Sequence, residues 1–231
     1  VNQPLHHVDV MPTLLALAGG QGDPSKPFDG KDATDAIVNG RRVLVQAMEG
    51  HETFTLDAEA FEAFNTSGGL GSLGASYGDR VQAMDYKTIR YPGHCSQMRL
   101  LMNDLKLNFD RATLKRVLEN AVPQTLQDVV IVYVAVAGRQ HGELREENYV
   151  SKIYPQVIAG RLWSAIQVTT AAGICAVVDL VMQNTGRYRG FVRQEDFSLV
   201  DVLNNRFGKH YSDGGGKEIS SRMIVAGTTG Q

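Results

Sequence analysis

Lys87, Arg90 and His94 fall within one short stretch, KTIRYPGH, and place two fixed cations beside an imidazole. Guanidinium and ammonium groups donate charge-assisted hydrogen bonds that suit carboxylates, and histidine exchanges a proton near neutral pH. Lys87 and Arg90 are three apart, so a strand running through both would point them to opposite faces. They converge only if the strand ends near Arg90. Tyr91-Pro92-Gly93 is such a stop, because proline restricts the residue before it and glycine frees the backbone after it. Arg90 and Tyr91 are thus candidates for holding an acidic substrate. Lys87 and His94 are candidates for a second anionic contact or for proton transfer. Just upstream, FNTSGGLGSLG supplies Asn65 and Thr66 as polar contacts, with Gly68, Gly69 and Gly71 free to take positive φ and let a ligand approach. The plainer alternative is a solvated basic strand end.

The elements expected to position these residues follow from periodicity. RRVLVQAM, ETFTL and AFEAF read as short strands, the last two returning on each other at Asp57-Ala58-Glu59. Residues 80–90 read as one strand. Met98, Leu101, Met102 and Leu105 have helical spacing, and Leu114, Val117, Leu118 and Ala121 repeat it behind Asp110 as N-cap. DVVIVYVAVAG, a nearly continuous apolar run, reads as a central strand covered on both faces, returning through LREENYVSKIY as a hairpin. Residues 163–182 read as a helix with Ile174, Val177, Val178 and Val181 towards the core, and Ser198 with Asp201 as a capping box for a short helix. At the N-terminal side, Asp9 to Gly20 and Asp32 to Val38 read as helical segments, with His6 and His7 as a loop pair rather than metal ligands. The glycine- and serine-rich tail, 212–231, is expected to be flexible.

The 231 residues, 43% apolar, suffice for a core, and a net charge of -2 offers no global field for nucleic acid or an anionic membrane. Cys95 and Cys175 lack metal or CxxC spacing and read as buried thiols in a reducing, cytoplasmic compartment. No metal site is expected.

The strings EAFNTSGGLGSL, YKTIRYPGH, QVTTAAGICAVVDLV, GFVRQEDFSL and NRFG, taken in order over about residues 42–211, resemble the substrate and C-terminal region of the saccharopine dehydrogenase family. The resemblance implies an α+β domain of substrate-binding or dimerisation type, with helices packed on a mixed sheet. It also implies NAD- or NADP-dependent oxidation or reduction of an amino-acid-derived amine. In that family the helix carrying Thr169 and Thr170 lies near the nucleotide domain, which makes the pair candidates for the cofactor side. Gly69, Gly71 and Gly74 meet the bare G-x-G-x-x-G spacing, but the expected loop and strand after them are not the strand-turn-helix unit that holds a dinucleotide. The Rossmann half is therefore expected to be absent, and no tight cofactor binding by this chain is expected. Residues 7–37, with DVMPTLLALAGG and PFDGKDA, resemble a non-catalytic segment of sulfatases, without that family's CxPxR nucleophile motif. The organisation read from these matches is a foreign N-terminal piece (1–40), a catalytic-side domain (41–211) and a tail. Two other readings stand beside it: a non-catalytic homodimerisation or ligand-binding module, and an inactive sulfatase-derived fragment.

Overall fold

A computed structural model describes residues 34–66, 69–122, 125–212 and 217–223. The helix and histidine pair expected within the first thirty-three residues lie outside these. The fold is α+β, and among the described residues the expected mixed sheet is instead a set of small antiparallel sheets with five α-helices. The chain divides into two compact units, Val1–Arg99 and Leu100–Gln231.

Among its described residues the first unit contains two three-stranded sheets. In one, β1 (Thr34–Val38) pairs with β2 (Arg41–Val45) and with β5 (Ala83–Met84). Over its described residues, 34–38, the helix expected for 32–38 is thus a strand. Its reason lies in Asn39-Gly40, which takes φ values of 52° and 71°, the left-handed pair that closes a two-residue hairpin rather than ending a helix. Residues assigned above to the N-terminal piece therefore share a sheet with residues beyond Gly40. Asp35, buried on β1, accepts from Arg42 Nε (2.6 Å) and from the Leu70 N–H (3.1 Å), tying the glycine loop to this sheet.

In the other sheet β3 (Glu52–Leu56), β4 (Glu59–Phe64) and β6 (Thr88–Arg90) lie in the order β3-β4-β6. The β3–β4 hairpin is the expected one, and its turn holds Asp57 and Ala58 at φ 51° and 64°. The strand expected over 80–90 is broken into β5 and β6, which join different sheets. The break satisfies both pairings, because no single extended segment lies along β1 and β4 together. α1 (Leu73–Tyr77) follows the glycine loop, where more loop was expected, and α2 (His94–Arg99) follows Pro92-Gly93. Phe61, Ala63, Phe64, Ile37, Leu70 and Cys95 form the apolar interior.

The second unit opens with a π-helical turn (Leu100–Asp104) and α3 (Arg111–Ala121), whose N-cap Asp110 accepts from the Thr113 N–H at 3.0 Å as its position predicts. β7 (Val130–Gln140) and β8 (Glu143–Ile153) form the expected hairpin, and β11 (Lys217–Met223) pairs along β8. That last strand corrects the expectation of a flexible tail for residues 217–223. The order β11-β8-β7 also corrects the central placement of DVVIVYVAVAG: among the described residues β7 is an edge, exposed along most of its length. β9 (Gln156–Ile158) and β10 (Arg161–Trp163) make a small hairpin.

α4 (Ala165–Gln183) begins with a capping box at Ser164 and Gln167, reinforced by Asp128, whose carboxylate accepts from the Ala165 and Ile166 N–H groups. Its packed face is Ala165, Val168, Thr169, Ala172, Ala176 and Leu180, whereas Ile174, Val177 and Val178 are exposed. The correction has a physical cause. The helix is apolar nearly all round, so periodicity selects the bulky stripe, while the fold buries the small one, where Tyr211 approaches Gly173 closely. α4 is long and apolar enough to cross a membrane by length and composition, though part of it is buried inside this fold. α5 (Leu199–Asn204) starts at Ser198, as expected, with Ser198 Oγ accepting from Asp201.

Candidate functional site

β6 ends at Arg90, the condition set by the spacing of Lys87 and Arg90, but the two cations have different fates. Lys87 Nζ lies 3.1 Å from Glu52 and 3.2 Å from Asp85. Burial alone would lower its pKa, but the two carboxylates outweigh it and raise the pKa, which keeps the ammonium charged and neutralised. Lys87 is therefore not poised to trade a proton near neutrality. Arg90 is exposed and donates to its neighbour's carbonyl, Ile89 O, at 2.8 Å. It has no ion-pair partner among the described residues.

His94 opens α2 and stacks on Phe64, ring centroids 6.2 Å apart. Burial lowers its pKa first and the positive field of Arg90 lowers it further, against the opposing pull of Glu62. The imidazole is thus held neutral beside a cation, a state in which it accepts a proton. Tyr91 is half-spent on packing, stacked on Phe61 at 5.5 Å, which itself stacks on Phe54.

Asn65 is 5% exposed, its backbone paired with Glu49 and Met48. Its side-chain Oδ1 is buried without a hydrogen-bond partner among the described residues, a costly state for a polar atom. Gly50, at φ 63°, makes room for this amide: a Cβ there would come within 2.8 Å of Asn65 Nδ2 and 3.5 Å of Lys87 Cε. The structure therefore brings Asn65 and Lys87 together across Gly50, and Arg90 together with His94. Thr66 is half-buried beside Asn65.

Thr169 and Thr170 belong to the second unit. The Thr169 hydroxyl donates to Ala165 O (2.9 Å) within its own helix, and its carbonyl accepts from Tyr211 Oη at 2.6 Å. Thr170 is exposed. This is the arrangement of a packed helix, with Thr169 spent on structure.

The residue that sequence reasoning missed is Glu62. Buried on β4, it accepts from the Cys95 N–H (2.6 Å), the Gly93 N–H (2.9 Å) and His51 Nε2 (3.1 Å). Burial, the largest single influence, pushes its pKa up, but these three donors together hold it below the ordinary carboxylate value. Glu62 thus fixes the start of α2, and with it His94, against the sheet that carries Arg90. A signal existed: Pro92-Gly93 offers α2 no capping side chain, so an acceptor had to come from elsewhere. Arg99 Nη2 and Cys95 Sγ also reach Met48 O, holding the helix to the loop after β2. Burial raises the Cys95 thiol pKa, so it stays protonated.

The glycine loop does not suit a dinucleotide. β4 before it lies inside an antiparallel sheet, and Gly74, the third glycine of the spacing, lies against the Asp35 carboxylate, 3.3 Å from where a Cβ would sit. A pyrophosphate would meet a negative group there. Among the described residues no group of three or more His, Cys, Asp or Glu could hold a metal ion. No protein-family model matches the chain.

Proposed function

We propose that the first unit is the substrate-binding part of a saccharopine dehydrogenase-like oxidoreductase acting on an amino-acid-derived amine. The observation that carries this reading is the open Arg90 guanidinium at the end of β6 with a neutral His94 beside it. Arg90 binds a substrate carboxylate, and His94 is placed to take a proton from an amine held by that carboxylate. Asn65 offers a buried acceptor suited to an ammonium or amide donor on the same ligand, with Thr66 and Tyr91 at the margins. Lys87 acts as part of the wall, already neutralised by Glu52 and Asp85.

Hydride transfer requires a nicotinamide nucleotide, NAD or NADP, because no side chain supplies a hydride. Since the glycine loop does not suit such a group, no step through it is assigned to this chain. Thr169 and Thr170 remain the residues that the family resemblance nominates for the cofactor side, in a cytoplasmic enzyme.

Titration of saccharopine and of glutarate against the wild-type chain and Arg90→Ala tests this reading. Binding in the wild type, lost at least tenfold in Arg90→Ala with an unchanged circular dichroism spectrum, is expected; a charged hydrogen bond of about 1.5 kcal/mol corresponds to that factor. Equal binding by both proteins would sink it.

A further inference from the structure

The edges of the small sheets are not alike. β2 carries Arg41 and Arg42, β3 carries Glu52, β6 ends in Arg90 and β10 begins with Arg161. β5 has two residues. These are short or charged edges, the devices that discourage pairing with another chain. β7 has neither protection: eleven residues, VIVYVAVAGRQ, with no proline and with Arg139 as its one charge. Its sheet order leaves one side of the strand without a strand partner among the described residues, and Val134 and Val136 are 48% and 62% exposed.

We propose that β7 is a homodimerisation edge, pairing antiparallel with β7 of a second copy about a two-fold axis through Ala135. The reading is independent of any activity of the first unit. The two-residue turn His141-Gly142 makes Gln140 and Glu143 a hydrogen-bonded pair, and the pairing alternates from there without a bulge. Val130, Val132, Val134, Val136 and Gly138 therefore face β8 with their backbone groups. Ile131, Tyr133, Ala135, Ala137 and Arg139 turn theirs to the open side. A strand paired with its own copy about Ala135 matches these outward positions with one another: Ala135 with Ala135, Arg139 with Ile131. No like charges meet, a methyl side chain sits on the axis, and Val134 comes opposite the second copy's Val136, where non-hydrogen-bonded neighbours lie closest. A second copy therefore suits the edge: it pairs the outward backbone groups and sets the exposed valines of the two copies beside one another. The two-fold closes the assembly at two chains.

Sedimentation velocity on the full chain, with residue-resolved amide exchange at high and low protein concentration, tests the proposal. A mass of two chains is expected, falling to one in both Val134→Lys and Ala135→Pro; the proline removes an outward donor and no β7–β8 bond. The Ala135 and Ala137 amides should be protected at high concentration and lose protection on dilution, whereas Val134 and Val136 stay protected at both. A monomer at every concentration, a dimer whose Ala135 amide exchanges freely, or a dimer unchanged in folded Val134→Lys would each overturn it. So would open-ended polymers.

Discussion

Glu62 in the first unit and Asp179 in the second are both buried carboxylates with their hydrogen bonds made, and the two are satisfied differently. Glu62 in the first unit is met by two backbone N–H groups at the start of α2 and by an imidazole. Asp179 in the second is met by three side chains: Arg206 (2.7 Å), Asn205 (2.7 Å) and Gln183 (2.8 Å). Arg206 and then Asn205 hold its pKa below the ordinary value, burial opposing them. The difference teaches where each unit can yield. Arg206 is 70% exposed along its side chain and returns to water if its partner goes. The N–H groups of Gly93 and Cys95 are fixed in the backbone and cannot.

Glu62→Ala is accordingly expected to cost about 3 kcal/mol, because buried donors are left without an acceptor. Asp179→Ala should cost less, its main orphan being the Asn205 amide. Amide exchange read separately over 94–99 and over α4 measures both. An equal or larger loss in Asp179→Ala would erase the distinction between a carboxylate that caps backbone and one that gathers side chains. In the same experiment, Glu62→Ala should free α2 and so broaden the placement of His94, while leaving the β3–β4 hairpin paired.

The hairpin itself offers the next test. Its turn places Ala58 at φ 64°, a conformation that an L residue with a Cβ adopts at a cost of about 1 kcal/mol. Among the described residues the corresponding second positions of the other two-residue hairpin turns are all glycine: Gly40, Gly142 and Gly160. Ala58→Gly should therefore stabilise the first unit by something under about 1 kcal/mol, since glycine also loses more freedom on folding. Gly160→Ala should destabilise the second unit by a like amount. Urea midpoints that move the same way in both variants would refute the turn argument.

These particulars also mark what the amino-acid sequence discloses. The β3–β4 and β7–β8 hairpins, the Asp110 cap and the Ser198 cap were legible because each rests on neighbours in the chain. The edge position of β7 was not: an apolar run states that cover is needed, and only the pairing shows that one side lacks it. The packed face of α4 escaped for a related reason, since small residues bury well only where something approaches closely, here Tyr211 against Gly173. At the site, the end of β6 at Arg90 was readable from Tyr91-Pro92-Gly93. The neutralisation of Lys87 depends on Glu52, thirty-odd positions away, and the role of Glu62 depends on a helix that starts after two further strands have intervened.

The smallest effect tests the comparison through pH. The lowered pKa of Asp179 makes a stabilising contribution that is complete above the ordinary carboxylate value of 3.8 and is lost as pH falls through its lower folded value. Glu62 behaves the same way below its ordinary 4.5. His94 differs. Its folded-state pKa lies below the ordinary 6.5, so between those two values the unfolded chain binds more protons than the native one, and stability falls as pH falls through that window. Above 6.5 the contribution is fully present. The first unit should therefore show a shallow loss of stability just below neutrality that comes before any acid loss from its carboxylates. His94→Phe keeps a ring against Phe64 and removes the proton site, so the shallow step should vanish while the acid limb stays. Amide exchange over 94–99 between pH 7 and pH 5 reads the step directly. If His94→Phe leaves that step unchanged, the imidazole is not held neutral by its surroundings, and the first unit loses the chemical distinction that sets its carboxylate apart from the one beside Arg206.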